Sequence, residues 1–585
     1  MKIEKKRISI IELLFLVLLA IYPLRHISMG VDLMDGGYSY ANFTFSGPEY
    51  MDSMWFFATW SANILGSFLT GLPWGNTMLG MNFYTALLVS IMAIAGYVFC
   101  TRKLKLSKGV TFVGEMVALS LCWLPTAVLY TYLTYGLFMA GVIFLYRGLI
   151  KEKRSFLVMA GVCLGWNVSV RFSNLPQMAL ILAVWYYAII NKKKVKTVLQ
   201  ETGLCILGYL AALVIFFVLI SLNYGIEEYI EGIKRLFTMT EYATDYATDS
   251  LLWGMVGGYF GISYWIKRCI LAVGAAFLVC IIFPTKWIPM KKTVTIFCML
   301  ALLWWFKKSG FFVLDYASYY SVYYPCVLLL LTAMGLALFQ MADKTVQKEE
   351  KLLALMVILL ILLTSFGSNN AIFSTMNNLF LIMPCFWKMA IKFVEEKKHI
   401  LFFPFQMFLV LCSLLLLVQS AKFGWRYVYE EADGARDLSV KVSQIPVLKG
   451  IHTGNEKAKA LEDLYLYLQK NGLQERECIL YGDIPGISYY MELKPAINIW
   501  SDLRSYSPET MLKDMETVRE GAAQNGNNPI VIVHQKYAEY CKNNNKEVLP
   551  EEVTVQIKLD FILDFIEEKD YSLLYENAEF MIWGR

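Results

Sequence analysis

The chain has 585 residues, of which 57% are hydrophobic and 17% are charged. A soluble protein of this size has about a quarter charged residues, so the composition excludes that class and indicates a polytopic membrane protein. Charge divides the chain: residues 1–421 hold 34 Lys and Arg against 21 Asp and Glu, and residues 422–585 hold 19 against 27. A positive excess confined to the membrane part reflects topology, and nothing here predicts nucleic-acid binding.

Long apolar runs recur from Ile8 to Ser420 and then stop. Because a spanning helix needs about 20 apolar residues and rarely fewer than about 17, we predict about 13 spans. Their ranges are 9–25, 82–100, 110–129, 131–148, 156–172, 174–190, 199–222, 269–284, 293–306, 321–341, 352–366, 378–394 and 400–420.

Basic clusters fix the orientation of these spans. They all fall on one side, at residues 2–7, 102–108, 147–154, 192–196, 286–292, 344–351 and 388–398. The positive-inside rule makes that side cytoplasmic, so we predict a plasma-membrane protein with a cytoplasmic N-terminus and an extracytoplasmic C-terminal domain. Segments 55–74 and 251–266 are ambiguous. We predict that the first lies as a helix in the outer interface and that the second stays outside.

The tail after the last span alternates strand and helix patterns. Residues 478–481 and 529–533 are apolar strands, and residues 508–521 have helical character. Residues 571–575 and 579–583 flank a Glu-Asn-Ala turn as a closing hairpin. We therefore predict a membrane domain, residues 1–421, with a first outer loop at 26–81, and an α/β domain at 422–585.

Two aspartates follow the first predicted span in the run Gly30-Val-Asp-Leu-Met-Asp-Gly-Gly-Tyr38. Asp32 and Asp35 would share a face if this stretch were helical, and the two glycines permit a tight bend directly after them. At the outer membrane edge, one carboxylate can take a proton from an acceptor hydroxyl while the other orients it or holds a cation. A solvated loop with two unremarkable acids is the alternative.

Several cations lie on the side that basic residues avoid. Arg171 stands where one predicted span ends and the next begins, and its guanidinium suits a phosphate group, which it can hold with two parallel hydrogen bonds. Snorkelling to lipid headgroups is the alternative. Lys307-Lys308 and Lys267-Arg268 either bind a carrier phosphate or show that the predicted spans are wrong there. The 12 cysteines and four histidines have no metal-site spacing.

The acidic run resembles a motif of the GT-C superfamily of glycosyltransferases, which use polyprenyl-phosphate-linked sugars. Members include protein O-mannosyltransferases, aminoarabinose transferases of lipid A and oligosaccharyltransferases. Their motif frequently reads Asp-Glu-x-Tyr, and Asp35-Gly36-Gly37-Tyr38 keeps the Asp and the Tyr but has Gly in place of Glu. Asp32 is the nearest substitute acid. The run 161–174, with its glycines and Arg171 before a break, is similar to a second family feature.

This resemblance implies a GT-C-like polytopic fold and transfer of a sugar from a polyprenyl-phosphate donor to a cell-envelope glycan, lipid or protein. A single displacement of this kind inverts the anomeric centre. The cofactor stays open, because oligosaccharyltransferases need a divalent cation such as Mg²⁺ or Mn²⁺ and many relatives do not. The implied catalytic residues are Asp35 as base and Asp32 as helper, and the substrate-binding candidates are Arg171, Tyr38, Lys307 and Lys308.

A transporter or flippase for a lipid-linked glycan is the runner-up prediction. The many spans favour it, as does Glu115, a candidate proton-relay group inside a predicted span. Pairing of Glu115 with the nearby Lys108, or its reach to the membrane interface, is the plainer interpretation. The acidic loop, the external tail and the lack of a visible repeat speak against a transporter. A third alternative is a membrane protein that presents the tail to a binding partner.

Overall fold

The computed structural model describes residues 9–46, 54–122, 129–238, 248–316, 319–368, 370–429, 431, 434–436, 438–499, 501, 506–525, 528–543 and 553–585. Helices form nearly all of the described chain up to residue 426. Their bounds are α1 Ile10–Ile21, α2 Asp35–Thr44, α3 Met54–Ala58, α4 Trp60–Thr70, α5 Met78–Arg102, α6 Lys108–Leu121, α7 Leu129–Lys151, α8 Arg154–Val170, α9 Leu182–Asn191, α10 Val195–Tyr224, α11 Ile226–Thr238, α12 Thr248–Phe260, α13 Ser263–Ile282, α14 Ile288–Lys308, α15 Tyr320–Ala342, α16 Lys348–Ser365, α17 Ala371–Asn377, α18 Ile382–Glu396 and α19 Phe403–Arg426.

The predicted helical membrane protein is confirmed. Eight helical stretches among the described residues are long and apolar enough to cross a bilayer: Met78–Arg102, Leu129–Lys151, Phe172–Asn191, Val195–Tyr224, Ser263–Ile282, Ile288–Lys308, Tyr320–Ala342 and Ile400–Arg426. Every predicted span overlaps a helix, and the count of about 13 stays a prediction because several of these helices are shorter than a span requires.

The two ambiguous segments form short helices. Segment 55–74 divides into α3 and α4, of 5 and 11 residues. Segment 251–266 divides between α12, of 13 residues, and the start of α13. Because α3, α4 and α12 are all shorter than the roughly 17 residues that a span requires, none of them crosses a bilayer as a straight helix.

Glycines bring α8 and α10 into close contact. A Cβ atom on Gly161 would lie 2.0 Å from the Cys205 carbonyl oxygen, and one on Gly165 would lie 2.3 Å from the Tyr209 carbonyl oxygen. Small residues let helix backbones approach in this way inside a membrane, where dispersion contacts replace the hydrophobic effect as the main attraction. The glycine-rich run therefore fixes the helix that ends next to Arg171.

Charged groups in the membrane part pair differently from the prediction. Lys108 and Arg102 each lie 2.6 Å from a carboxylate oxygen of Glu12, so the predicted pairing of Lys108 with Glu115 is wrong. Glu115 is fully buried beside Gly96, and within the described chain no hydrogen bond reaches its carboxylate oxygens. Lys108 prefers Glu12 because the two meet where α1 packs against the start of α6.

The tail forms a mixed four-stranded sheet between two layers of helices. The strand order is β3-β4-β6-β5, with β3 parallel to β4 and the other pairs antiparallel. This confirms the predicted strands, helix and closing hairpin. The bounds are β1 Val440–Lys441, β2 His452–Thr453, α20 Asn455–Lys470, β3 Cys478–Tyr481, α21 Gly486–Tyr490, α22 Pro508–Asn525, β4 Ile530–His534, α23 Ala538–Asn543, α24 Val553–Glu568, β5 Ser572–Glu576 and β6 Phe580–Gly584.

One apolar core joins the tail to the segment between α1 and α5. Tyr38, Tyr40 and Phe43 of α2 belong to the same buried cluster as Leu461 of α20 and Tyr489 of α21. The rings of Tyr40 and Tyr489 lie 5.3 Å apart. Helix α19 also runs past the predicted boundary at residue 421. The tail is thus packed directly onto the acidic run.

Candidate functional site

Asp32 fixes the beginning of α2. Its Oδ1 atom accepts a hydrogen bond from the Met34 amide at 2.8 Å, and its Oδ2 atom accepts one from the Gly36 amide. A carboxylate in this place satisfies N–H groups that a helix start leaves unpaired, and it meets the positive end of the helix dipole. Asp32 is 1% exposed. This geometry favours a positioning role for Asp32, which aims the helix that carries Asp35.

Asp35 is the first residue of α2, and its carboxylate is partly buried. Its Oδ2 atom accepts a hydrogen bond of 2.6 Å from the Tyr429 hydroxyl. Burial raises the pKa of Asp35 above its ordinary value, and the Tyr429 hydrogen bond and the Arg171 charge offset part of that rise. A carboxylate with a raised pKa, ionised and within reach of a substrate, has the properties of a general base.

A buried amide network holds the backbone break at Arg171. The Asn167 side chain donates to the Gln177 amide oxygen at 2.7 Å, and the Asn174 side chain donates to the Asn167 carbonyl at 2.9 Å and to the Thr134 hydroxyl at 2.9 Å. Helix α8 ends at Val170, and Arg171 is extended, with φ −154° and ψ 120°. The position of Arg171 is therefore set by side chains that donate hydrogen bonds to backbone carbonyl groups near the end of the helix.

The Arg171 guanidinium is the described cation whose charge acts on Asp35. Its Nη2 atom donates to the Ser368 hydroxyl at 3.2 Å, and the guanidinium carbon lies 5.6 Å from the centre of the Tyr130 ring. Over the described residues, no carboxylate comes within 4.0 Å of it, although its charge lowers the pKa of Asp35. Among the described residues, one hydrogen bond from the five guanidinium N–H groups is found, so the others can serve an anion.

The tail holds the acidic run along its length. The amide of Gly30 donates to the His452 carbonyl at 2.8 Å, and the amide of His452 donates to the Ser28 carbonyl at 2.7 Å. Farther along, the Tyr490 hydroxyl donates to the Asp32 carbonyl, and the amide of Gly486 donates to the Leu33 carbonyl at 2.8 Å. Strand β2 and helix α21 of the tail therefore both hold this run in place.

A buried ion pair adds to this contact. One Glu431 carboxylate oxygen accepts from the Val31 amide at 2.8 Å and from the Thr453 hydroxyl at 2.8 Å, and it lies 3.2 Å from Lys457 Nζ. Lys457 also donates to the Val31 carbonyl at 3.1 Å. Both polar groups of the Val31 backbone are thus paired with the tail, and the Glu431 charge is compensated as a buried charge requires.

Gly37 of the motif lies where α2 touches α21. A Cβ atom on Gly37 would lie 2.4 Å from Gly486 Cα and 2.8 Å from its nitrogen, and one on Gly486 would lie 2.9 Å from Gly37 Cα. A side chain at either glycine would make contacts too short for backbone atoms, and it would force α2 and α21 apart. The close packing of α21 against α2 therefore requires glycine at position 37.

We expect Gly37→Ala to destabilise the protein by about 1–3 kcal/mol through overpacking, although alanine favours helices more than glycine does. The measurement is thermal unfolding of the purified protein in detergent together with protease release of the tail. Gly454→Ala is the matched control, because a Cβ atom there meets nothing within 4 Å. Equal unfolding temperatures for the two variants would contradict this account.

The other predicted substrate residues have structural explanations of their own. Tyr38 is 4% exposed and packs into the shared apolar core, which favours a structural role over substrate contact. Lys307 and Lys308 are exposed at the carboxyl end of α14, where a cation meets the negative end of the helix dipole. The described contacts do not bring either lysine to Asp35.

The described side chains around Asp35 do not fit a divalent cation. No group of three His, Cys, Asp or Glu side chains with metal-site geometry occurs in the described part of the chain. Both carboxylate oxygens of Asp32 accept backbone N–H bonds, and Tyr429 donates to Asp35. Such a ligand set is poorer in oxygen donors than Mg²⁺ or Mn²⁺ sites require.

Comparison with known proteins gives distant structural similarity. No family model matches the chain, and no curated protein matches it in sequence. ArnT from Cupriavidus metallidurans bound to undecaprenyl phosphate is 12% identical, over 98% of this chain and 96% of its own, with a TM-score of 0.39. The Archaeoglobus fulgidus oligosaccharyltransferase with Zn and sulfate is 12% identical, over 97% and 73%, with a TM-score of 0.42. The Archaeoglobus fulgidus oligosaccharyltransferase AglB, in complex with an inhibitory peptide and a dolichol-phosphate, is 11% identical over 90% and 70%, with a TM-score of 0.43. Alignments with TM-scores below 0.5 do not establish a shared fold.

Proposed function

We propose that this protein is a membrane glycosyltransferase. It moves a sugar from a polyprenyl-phosphate donor to an acceptor on the outer face of the plasma membrane. The observation that carries this proposal is that Arg171, which has no carboxylate within 4.0 Å among the described residues, lies close enough to the half-buried Asp35 for its charge to lower the pKa of that carboxyl. The resemblance of the acidic motif to the GT-C superfamily supports it.

The reaction follows from these two groups. The acceptor hydroxyl oxygen forms a bond to the anomeric carbon of the sugar, and the bond from that carbon to the phosphate oxygen breaks. Asp35 takes the hydroxyl proton, and Arg171 stabilises the negative charge that develops on the departing polyprenyl phosphate. One displacement of this kind inverts the anomeric configuration.

Incubation with labelled donors tests this function. Membranes containing the protein are mixed with radiolabelled polyprenyl-phosphate sugars, and label is followed into glycan, lipid and protein fractions. We expect label to move into one of these fractions, with the wild-type chain and not with Asp35→Asn. Equal labelling with both chains would remove Asp35 from the reaction, and no labelling with any donor would contradict the proposal.

A transporter for a lipid-linked glycan is the second candidate, because Glu115 is fully buried and no described group bonds its carboxylate. Buried acids of this kind occur in proton-coupled transporters. A flippase moves its lipid across vesicles without transferring the sugar. It is therefore expected to keep working after Asp35→Asn and to slow after Glu115→Gln, which is the reverse of the pattern expected for the transferase.

The proposed orientation places the tail outside the cell and the loop between α5 and α6 inside. We expect Ser572→Cys, on an exposed position of β5, to react with a membrane-impermeant maleimide in intact cells. Ser107→Cys, exposed before α6, is expected to react after lysis only. The opposite pattern would reverse the topology and place Asp35 on the cytoplasmic side.

A further inference from the structure

Tyr429 stands just beyond the last long helix and reaches the site from the tail. Helix α19 ends at Arg426, and three residues later the Tyr429 hydroxyl donates to Asp35 Oδ2 at 2.6 Å. Tyr429 is 6% exposed. In the sequence nearly 400 residues separate these two side chains, and no motif connects them.

We propose that Tyr429 is a positioning residue that holds the Asp35 carboxylate ionised and turned toward the acceptor. The inference rests on the proposed transfer function, because it gives Asp35 the role of base. It adds that this base is built by two distant parts of the chain, the start of α2 and the segment after α19.

The first argument is how the two carboxylate oxygens are used. Tyr429 occupies Oδ2, and among the described residues no hydrogen bond reaches Oδ1. A carboxylate held by one oxygen keeps its second oxygen at a fixed angle, ready to accept a proton from a substrate hydroxyl. Fixed geometry of this kind is a large part of catalytic efficiency.

The second argument is electrostatic. A hydroxyl that donates to a carboxylate stabilises its ionised form and so lowers the pKa of that carboxylate. Among the described residues, the ionisable groups that act on Asp35 or share its surroundings are the Tyr429 and Tyr130 hydroxyls, the Arg171 guanidinium and the Asp32 carboxylate. Burial and the neighbouring carboxylates raise the pKa of Tyr429 well above its ordinary value, so the phenol keeps its proton and remains a donor.

The third argument is the rigidity of Tyr429. On one side Tyr427 stacks on Phe423 of α19, with ring centres 4.4 Å apart. On the other side Glu431 is buried and bonded to Val31 and Thr453. Because the chain is fixed two residues before and two residues after Tyr429, its hydroxyl has little freedom to leave Asp35.

The test is the pH dependence of transfer by Tyr429→Phe in the full-length protein. Because the base must be ionised, the rate rises with pH through the pKa of Asp35. Without the hydroxyl the pKa of Asp35 is higher, so the acidic limb of the pH–rate profile should move to higher pH by about 1 unit. At pH values below the limb the reaction should be roughly tenfold slower than in the wild type, and above the limb the two rates should be nearly equal. A role in folding alone would lower the rate at every pH.

Tyr489→Phe is the matched control. It also removes a buried tyrosine hydroxyl in the shared core, and that hydroxyl has no hydrogen-bond partner among the described residues. Its acidic limb should coincide with that of the wild type. A Tyr429→Phe profile that also coincides with the wild type would overturn the inference while the transfer function stands.

A second measurement does not depend on activity. Dicyclohexylcarbodiimide reacts with protonated buried carboxyl groups, and mass spectrometry of the Asp35 peptide gives the labelling midpoint against pH. We expect the midpoint of Tyr429→Phe to lie about 1 pH unit above that of the wild type. Midpoints that agree would overturn the role of Tyr429 even if no donor is ever found. If the midpoint shifts but the wild-type chain transfers no sugar, the proposed function is refuted and the effect of Tyr429 on the pKa of Asp35 stands.

Discussion

Asp35→Asn is expected to slow sugar transfer by about 10²–10⁴-fold, because a positioned general base contributes that much to a reaction. Asparagine has nearly the shape of aspartate, and its amide oxygen still accepts the Tyr429 hydrogen bond. The variant should therefore fold normally and bind its donor. The measurement is the initial rate with saturating labelled donor, alongside the unfolding temperature.

The control for Asp35 is Glu227→Gln. Glu227 is an exposed acid in the first turn of α11, and removing its charge leaves the site unchanged. Its rate should equal that of the wild type. A rate for Asp35→Asn within a factor of about three of that control would mean that the carboxylate takes no proton during transfer, since such a factor corresponds to well under 1 kcal/mol of barrier.

Arg171→Ala has the second largest expected effect, a fall in kcat of about 10²–10³-fold, comparable with the loss of one donor that stabilises developing negative charge. Arg171→Lys should recover part of that loss, because it restores the charge without the two-pronged hydrogen-bonding geometry. The measurements are kcat, KM and the affinity for polyprenyl phosphate, which together separate binding from stabilisation of the leaving group.

Lys422→Ala is the control for Arg171, because Lys422 is an exposed cation near the end of α19 with no described contact to the site. Its kinetics should match those of the wild type. If Arg171 only reaches toward lipid headgroups, Arg171→Lys should behave like the wild type in every measurement. A lysine serves that purpose equally well.

Local patterns in the sequence predict much of the fold. Apolar runs identify the helices because a bilayer imposes their length, and strand β3 follows its predicted range because four consecutive apolar residues end at a Gly-Asp turn. Segment 55–74 was harder, because its composition suits a span, and its division into helices of 5 and 11 residues is visible in the structure alone.

The sequence predicts the central residues of the candidate site but not their neighbours. Asp35 and Arg171 lie in recognisable runs. Tyr429 and Glu431 lie in the segment after α19, and nothing local distinguishes them, since their partners are about 400 residues away. Asp32 looked like a second catalytic acid because spacing alone cannot tell a side chain that faces substrate from one that accepts backbone N–H groups.

The contact between the acidic run and the tail also has a consequence for the order of events during synthesis. Val31 leaves the ribosome 400 residues before Glu431, its hydrogen-bond partner. At about 5–20 residues per second, the run waits roughly 20–80 s before its partner exists. A chain that is still growing, or one that ends early, thus carries Asp35 without the surroundings that make it a base. Chains that end before Glu431 should therefore remain in the membrane without transferring sugar.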